Sequence, residues 1–265
     1  MKLAIVSDIH GNLPALDAVI ADIARAGVDR VVNLGDIASG PLWPCETVKR
    51  LMTLGWPTIR GNHERQVLTL PRERMSAADA FTADRLGDAE RAWLAALPTT
   101  LDLGDGVWCC HATPTNDLEY LLETVTPDLG RHGSPGIRAA MLDEVRARLA
   151  GRRDAVVLCG HTHTPRLVRC DGTLVVNPGS VGVQAYDDDH PFEHRVETGS
   201  PHARWALLER GAAGWQATLC ATAYEWEAAA QQAETNGRGD WADALRTGRV
   251  GRLEREVVGS GGARA

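Results

Sequence analysis

The chain has 265 residues, of which 44% are hydrophobic and 24% are charged, so it can bury an ordinary globular core. Its formal net charge of −7 at pH 7 argues against a broad basic surface for nonspecific nucleic-acid binding. The apolar run at residues 3–6 is too short for a signal peptide or a membrane span, and the six cysteines form no C-x-x-C pair. We therefore expect a cytoplasmic protein with reduced cysteines and no membrane partner.

Short apolar runs alternate with helical patterns in the first part of the chain. The predicted elements are, in order, strand 3–6, helix 13–26, strand 31–34, helix 44–54 and strand 57–59. Asn12 is the predicted N-cap of the first helix, and residues 64–98 are mostly helix formers. This βαβαβ order predicts mixed sheets with helices on their outer faces.

The second half of the chain is richer in strands. Predicted hairpins lie at residues 100–110, 166–176 and 204–219, a further strand at 155–159, and helices at 117–124, 137–149 and 224–234. Residues 185–203 are predicted to form a long polar loop, with a solvated turn at 187–189. We expect one domain over 1–235 and a C-terminal extension over 236–265, with a disordered tail at 259–265.

Five of the predicted strands are each followed by residues that can bind a metal ion. These residues are Asp8, His10, Asp36, Asn62, His63, His111, His161 and His163. Sites in open α/β sheets gather at the carboxyl ends of strands, so these side chains can converge. Singly, an Asp can cap a helix and an Asn can occupy a turn. Those structural roles leave unexplained why five of the nine histidines lie at strand ends.

The candidate ligands are carboxylates, imidazoles and one amide. Such nitrogen and oxygen donors suit Mn, Fe, Zn, Ni or Co rather than a cysteine-rich structural zinc site. Seven of these residues, all except His63, are the candidate ligands; one ion rarely needs seven, whereas two ions sharing a carboxylate would use them all. Two ions about 3.5–4 Å apart stabilise the attacking and leaving oxygens of a phosphoryl displacement and lower the pKa of a bridging water.

The order and spacing of these motifs resemble the calcineurin-like metallophosphoesterase superfamily. The matching blocks are Asp8-x-His10, Gly35-Asp36, Gly61-Asn62-His63-Glu64, His111 and Gly160-His161-x-His163. The turn Asn177-Pro178-Gly179-Ser180 resembles the small prokaryotic phosphodiesterase-type branch. The resemblance implies a four-layer α/β/β/α sandwich of two mixed sheets.

The resemblance also implies a role for each matching residue. The first metal would be held by Asp8, His10 and His163, the second by Asn62, His111 and His161, with Asp36 bridging both. His63 would face the substrate and protonate the leaving oxygen or stabilise the transition state. The implied activity is hydrolysis of small phosphodiesters or nucleotide-like phosphates by a metal-bridging hydroxide, with Mn or Fe as the favoured ions.

One position departs from the protein-phosphatase branch of the family. That branch carries an Asp three residues after the bridging Asp, where this chain has Ser39. The residue that would orient His63 is therefore missing or supplied elsewhere, which disfavours a serine/threonine-type protein phosphatase. The sequence also leaves open a non-catalytic scaffold on the same fold and a nuclease. Asn12 can either cap its helix or contact a bound phosphate.

Overall fold

Two mixed β-sheets pack face to face, and helices cover their outer surfaces. The computed structural model describes residues 1–260, with the side chains of residues 1–258. The strands are β1 (Lys2–Val6), β2 (Arg30–Asn33), β3 (Thr100–Gly104), β4 (Val107–Cys110), β5 (Glu123–Val125), β6 (Ile137–Ala139), β7 (Val156–Leu158), β8 (Arg166–Cys170), β9 (Thr173–Asn177), β10 (Ala185–Asp188), β11 (His194–Glu197), β12 (Ala203–Gly211) and β13 (Gly214–Thr222). The helices are α1 (Leu13–Ala26), α2 (Pro44–Leu54), α3 (Asn62–Thr69), α4 (Ala77–Ala83), α5 (Asp88–Ala96), α6 (Leu142–Arg148), α7 (Trp226–Thr235), α8 (Gly239–Thr247) and α9 (Glu254–Ser260).

The strands form two larger sheets and two small hairpins. The first sheet has the order β13-β12-β1-β2, and the second has the order β3-β4-β7-β9-β8. Strands β1 and β2 are parallel, as are β4, β7 and β9, so their carboxyl ends lie at a common edge of each sheet. The small hairpins are β5-β6 and β10-β11.

The core has three main layers, and successive side chains of each central strand point into different layers. Leu3 and Ile5 of β1 point into the core between the two sheets, whereas Ala4 and Val6 pack beneath the helices on the outer face of the first sheet. Val145 of α6 belongs to the third cluster, which covers the outer face of the second sheet. The predicted four-layer α/β/β/α sandwich is therefore confirmed.

All six cysteines are free thiols, and four of them are buried. No helix within residues 1–260 has the length and apolar character that a membrane crossing requires.

The helix predicted over 117–124 is wrong. This segment is irregular and ends in β5, which pairs with β6. Four consecutive residues, 120–123, are buried, and a surface helix buries only one face. Leu121 and Leu122 pack in the core beneath the second sheet, so tertiary packing overrides the local helix propensity.

Three other predictions need correction at their boundaries. The strand predicted at 57–59 is reduced to one bridge between Asn33 and Thr58, because the proline before Thr58 has no N–H to donate. The helix predicted over 137–149 begins only at Leu142, since residues 137–139 form β6. The polar loop predicted over 185–203 contains the β10-β11 hairpin, with two of the three consecutive aspartates inside β10.

The segment after residue 235 contains two helices that the sequence analysis did not predict. Helix α8 packs closely against α7, and Ala242 and Leu245 of α8 are fully buried in the core above the first sheet. Arg252 forms a two-pronged ion pair with Asp243 of α8, at 2.8 and 2.9 Å. Of the tail predicted to be disordered, residues 261–265 lie outside the described part of the chain.

Candidate metal centre

The carboxyl ends of the strands bring the predicted ligands together in two groups. Within each group the potential ligand atoms all lie within 4.8 Å of one another. The first group is Asp8, His10 and His163, and the second is Asp36, His111 and His161. Oδ1 of Asn62 lies 3.1 Å from Nε2 of His111, which places Asn62 beside the second group.

The backbone at these positions adopts a conformation that L-residues rarely take. Positive φ angles between 49° and 68° occur at nine non-glycine residues of the described chain, and five of the nine belong to the two groups. These five are Asp8, His10, Asp36, His161 and His163. Such left-handed residues cost roughly 1–3 kcal/mol each and persist where surrounding structure fixes them, often at functional sites.

Main-chain hydrogen bonds and one buried carboxylate hold the loops in this conformation. The amide of Asp8 donates to Gly35 O at 2.9 Å, and the amide of His10 donates to Asp36 O at 3.0 Å. The carboxylate of Glu64 accepts from the amides of Asp36, Ile37 and Gly61 at 2.7–2.9 Å. Glu64 thus ties the loop after β2 to the start of α3.

Two glycines of the motifs allow the loops to approach each other closely. A Cβ atom at Gly61 would overlap the carboxylate of Asp36, and one at Gly160 would overlap the side chains of Ser7 and Asp8. The glycines in the G-N-H-E and G-H-x-H blocks are therefore needed because the neighbouring loops approach them closely, and not because the backbone turns there.

The first group presents two imidazole lone pairs to each other. Nδ1 of His10 donates to Ser39 O at 2.7 Å, and Nδ1 of His163 donates to Val183 O at 3.0 Å, because a carbonyl oxygen can only accept. In the neutral rings both Nε2 atoms are then acceptors, yet they lie 3.0 Å apart. Oδ1 of Asp8 is 3.4 Å from Nε2 of His163. Three acceptors converge here, which fits a bound cation.

The second group repeats this arrangement. Nδ1 of His111 donates to Leu34 O at 2.8 Å, so Nε2 of the neutral ring has a lone pair. That lone pair faces Oδ2 of Asp36 at 3.0 Å and Oδ1 of Asn62 at 3.1 Å. Nε2 of His161 donates to Leu118 O at 3.1 Å, which leaves its Nδ1 as the potential ligand atom. Backbone carbonyls thus fix the tautomer of each imidazole, as in protein metal sites.

The electrostatics of the centre favour positive charge between these groups. Burial and the neighbouring His163 lower the pKa of His10 to about 3, so that ring stays neutral. Burial alone would raise the pKa of Asp36, but His111 and His63 lower it well below its usual range. Burial would lower the pKa of His111, but Asp36 raises it to about 9. The carboxylates therefore stabilise a cation, whether a proton or a metal ion.

Comparison with known proteins agrees with this geometry. The calcineurin-like phosphoesterase superfamily domain matches residues 1–192. The chain belongs to this superfamily. An uncharacterized protein of Methanocaldococcus jannaschii is 25% identical over 189 residues, which cover 68% of this chain and 69% of that protein.

Two solved structures have a fold similar to that of this chain. A metallophosphoesterase from Sphaerobacter thermophilus has a TM-score of 0.69 at 24% identity, with coverage of 94% of this chain and 99% of that one. A hypothetical protein from Pyrococcus horikoshii has a TM-score of 0.70 at 18% identity, with the same coverage of both chains. The superfamily consists of metal-dependent phosphoesterases, and the two ligand groups are candidate metal sites for such an enzyme.

His63 lies beside the two ligand groups and is oriented by a residue from another helix. Its Nδ1 is 2.8 Å from Oδ1 of Asp79 in α4, and Ser39 Oγ donates to the same oxygen at 2.7 Å. Burial would lower the pKa of His63, but Asp79 and Asp36 raise it to about 10. Ser39, which departs from the protein-phosphatase branch of the superfamily, thus hydrogen-bonds the carboxylate that pairs with His63.

Sequence reasoning missed Asp79 because the residue has a second, ordinary role. Ser76 caps α4 by accepting from the Asp79 amide at 3.1 Å, and its hydroxyl donates back to Oδ2 of Asp79 at 2.9 Å. The stretch Ser76-x-x-Asp79 therefore has the pattern of a helix N-terminus, and nothing in it points to a histidine sixteen positions earlier.

Asn12 and Arg65 make protein contacts in this structure. Oδ1 of Asn12 accepts from the Ala15 amide at 3.2 Å, and its Nδ2 donates to Gly182 O and Tyr224 Oη. The side chain is fully buried, which favours the capping role over the predicted phosphate contact. Arg65 forms a bidentate pair with Asp117 at 2.6 and 2.8 Å.

The two ligand groups open into a cleft of about 980 Å³. His10, His63, His161 and His163 lie along the cleft together with Asp36 and Asn62. Helices α8 and α9, the β10-β11 hairpin, the irregular segment before β5 and residues of α3 and α4 also line it. Trp241 of α8 stands edge-on to the ring of His10, with 5.9 Å between ring centroids. The helices after residue 235 thus contribute directly to the surroundings of the centre.

Proposed function

We propose that the protein is a dinuclear-metal phosphoesterase that hydrolyses phosphodiester or nucleotide-like phosphate substrates. The observation that carries the proposal is the convergence of acceptor atoms in two adjacent groups. Nε2 of His10 faces Nε2 of His163, and Nε2 of His111 faces the Asp36 carboxylate, so each contact is satisfied only by a proton or a metal ion between the two groups. Acceptors held this close by carbonyl-fixed tautomers need cations between them.

The proposed ligand assignment follows the two groups. Asp8, His10 and His163 would hold one ion, and Asn62, His111 and His161 would hold the other, with Asp36 shared. The donors are imidazole, carboxylate and amide, which suit Mn or Fe and also Zn, Ni or Co. Two such ions, when bound, would supply Lewis-acid stabilisation of the phosphoryl oxygens and a nucleophile derived from water.

In this proposal His63 delivers a proton to the leaving oxygen. Its Nδ1 is engaged by Asp79, which leaves Nε2 for the substrate. About a quarter of the His63 side chain is exposed, whereas Asp79 is buried, so the histidine faces the cleft and the carboxylate stands behind it. Proton transfer from a positioned histidine contributes typically 10²–10⁴-fold to a rate.

The size of the cleft supports a diester or a nucleotide-like ester as the substrate. Pockets that bind whole organic ligands have volumes of roughly 300–1,000 Å³, and this cleft is at the upper end of that range. A diester carries an alcohol group on each side of the phosphate, and the cleft has space for both beside the ligand groups.

The proposal is tested by assaying manganese-loaded protein on aryl phosphate monoesters and diesters. We expect turnover of both classes, faster with diesters, and loss of nearly all activity in Asp36→Asn. Asp17→Asn is the matched control, because Asp17 lies on the exposed face of α1 and pairs with Arg50. Equal rates for the parent and Asp36→Asn across Mn, Fe, Co and Ni would contradict the proposal. A phosphoprotein turned over far faster than any diester would instead favour a protein phosphatase.

A further inference from the structure

Two tyrosines pack against the rings of candidate ligands and line the same cleft. The ring of Tyr120 packs edge-on against His161, with 5.1 Å between centroids, and the ring of Tyr186 packs edge-on against His163 at 4.9 Å. Their hydroxyl oxygens are 2.8 Å apart. The pair therefore connects residues from both ligand groups, and neither tyrosine has a role in the proposed metal chemistry.

A histidine fixes the direction of the hydrogen bonds through this pair. Nδ1 of His194 lies 2.8 Å from Phe192 O, and a carbonyl oxygen can only accept, so Nδ1 carries the hydrogen. Nε2 of the neutral ring then accepts, and it lies 3.0 Å from the Tyr120 hydroxyl. Tyr120 consequently donates to His194, and its oxygen accepts from Tyr186.

This order leaves Tyr186 with only acceptor capacity toward the cleft. Its single hydroxyl hydrogen is used in the bond to Tyr120, the one hydrogen bond of that hydroxyl among residues 1–260. A hydroxyl oxygen has two lone pairs in addition to its donor. The group that meets Tyr186 in the cleft must therefore bring its own hydrogen.

We propose that Tyr186 is a specificity-determining residue that accepts a hydrogen bond from a hydroxyl group on the alcohol portion of the substrate. This inference rests on the proposed phosphoesterase function and narrows its substrate class. Favoured substrates are phosphate esters of polyols or sugars, in which a free hydroxyl lies a few bonds from the phosphate. Substrates whose alcohol portion carries only an ether oxygen or a hydrocarbon chain would form no hydrogen bond with Tyr186.

The test uses non-hydrolysable ligands, so that binding is measured without turnover. Calorimetry on the manganese-loaded full chain compares 3-hydroxypropylphosphonate, 3-methoxypropylphosphonate and butylphosphonate. The first can donate a hydrogen bond, the second can only accept one, and the third can do neither. We expect the hydroxyl ligand to bind about 10-fold more tightly than the other two, the range of one satisfied hydrogen bond.

Variants assign the preference to the tyrosine. Tyr186→Phe is expected to bind all three phosphonates equally, because the acceptor is gone. Tyr224→Phe, which alters a buried tyrosine outside the cleft, is expected to keep the 10-fold preference. The inference is overturned if the methoxy ligand matches the hydroxyl ligand in the parent, since Tyr186 would then be donating. It is also overturned if the preference survives in Tyr186→Phe.

The same measurement separates this inference from the proposed function. If metal-free and metal-loaded protein bind butylphosphonate equally, the metal centre does not hold the phosphoryl group and the proposed function fails. If metal strengthens binding of all three ligands but no preference appears, only the assignment of Tyr186 fails. If none of the three binds the metal-loaded chain, both fail.

Discussion

Nδ1 of His63 lies 2.8 Å from Oδ1 of Asp79, which reaches it from a different helix. The same oxygen accepts from the hydroxyl of Ser39, which departs from the protein-phosphatase pattern. A carboxylate in this position holds the imidazole in one tautomer and directs its other nitrogen to the cleft. This pair determines how His63 can act in the proposed reaction.

Replacing Asp79 should therefore lower the rate without removing the metal. In Asp79→Asn we expect kcat on an aryl phosphodiester to fall about 100-fold, because an amide no longer stabilises one orientation of the ring. KM and bound manganese, measured on the same samples, should stay within twofold of the parent. Asp84→Asn, at the exposed end of the same helix, is the control. Equal kcat values for the two variants would remove Asp79 from the mechanism.

Glu64 should contribute to stability through the three backbone amides that it accepts. Glu64→Gln replaces one acceptor oxygen by a donor and leaves at least one of the three buried amides without a partner. We expect the free energy of unfolding, measured with urea, to fall by about 1–3 kcal/mol. Glu73→Gln on the exposed turn after α3 should change it by less than about 0.5 kcal/mol. A Glu64→Gln variant as stable as its control would contradict this role.

Glu123 should make stability depend on pH. It is buried, its Oε2 has no hydrogen-bond partner among the described residues, and burial raises its pKa above the ordinary 4.5. Because the folded state holds the Glu123 proton more tightly, the protonated side chain contributes to the free energy of unfolding. This contribution is fully present below the pKa of Glu123 in the unfolded chain and is lost as pH rises through its pKa in the folded protein.

The substitution Glu123→Gln removes this titration. Relative to the parent, the variant should gain free energy of unfolding between pH 4 and pH 7, by on the order of 1 kcal/mol. Its Oε1 can still accept from Arg166, as the carboxylate does at 2.7 Å. Glu119→Gln, a half-exposed neighbour, should show no such trend. Parallel curves of stability against pH for the parent and Glu123→Gln would refute the prediction.

The sequence was sufficient to predict the layers of the fold and the strand ends that carry the candidate ligands. Both depend on local signals, namely short apolar runs that alternate with helical patterns and polar residues directly after them. His161 and His163 illustrate this, because the apolar run before them predicts a strand that ends where they lie. The left-handed backbone at both residues was not predictable. It accompanies hydrogen bonds to distant segments, from the His161 amide to Asp8 and from the His163 ring to Val183 O.

The features that the sequence did not reveal all depend on tertiary contacts. Asp79 has the pattern of a capping residue, and only the packing of α4 beside the site brings it to His63. Helix α8 lies in a stretch rich in glycine and arginine, yet Trp241 reaches the ring of His10. The segment 117–124 has helix-forming composition, but burying Leu121 and Leu122 together requires an irregular chain.

The most direct test of the two-ion centre is anomalous diffraction from crystals saturated with manganese. A two-ion centre predicts two peaks about 3.5–4 Å apart. One should lie among Asp8, His10 and His163, and the other beside Asn62, His111 and His161, with the Asp36 carboxylate between them. A single peak, or two peaks away from these side chains, would contradict it.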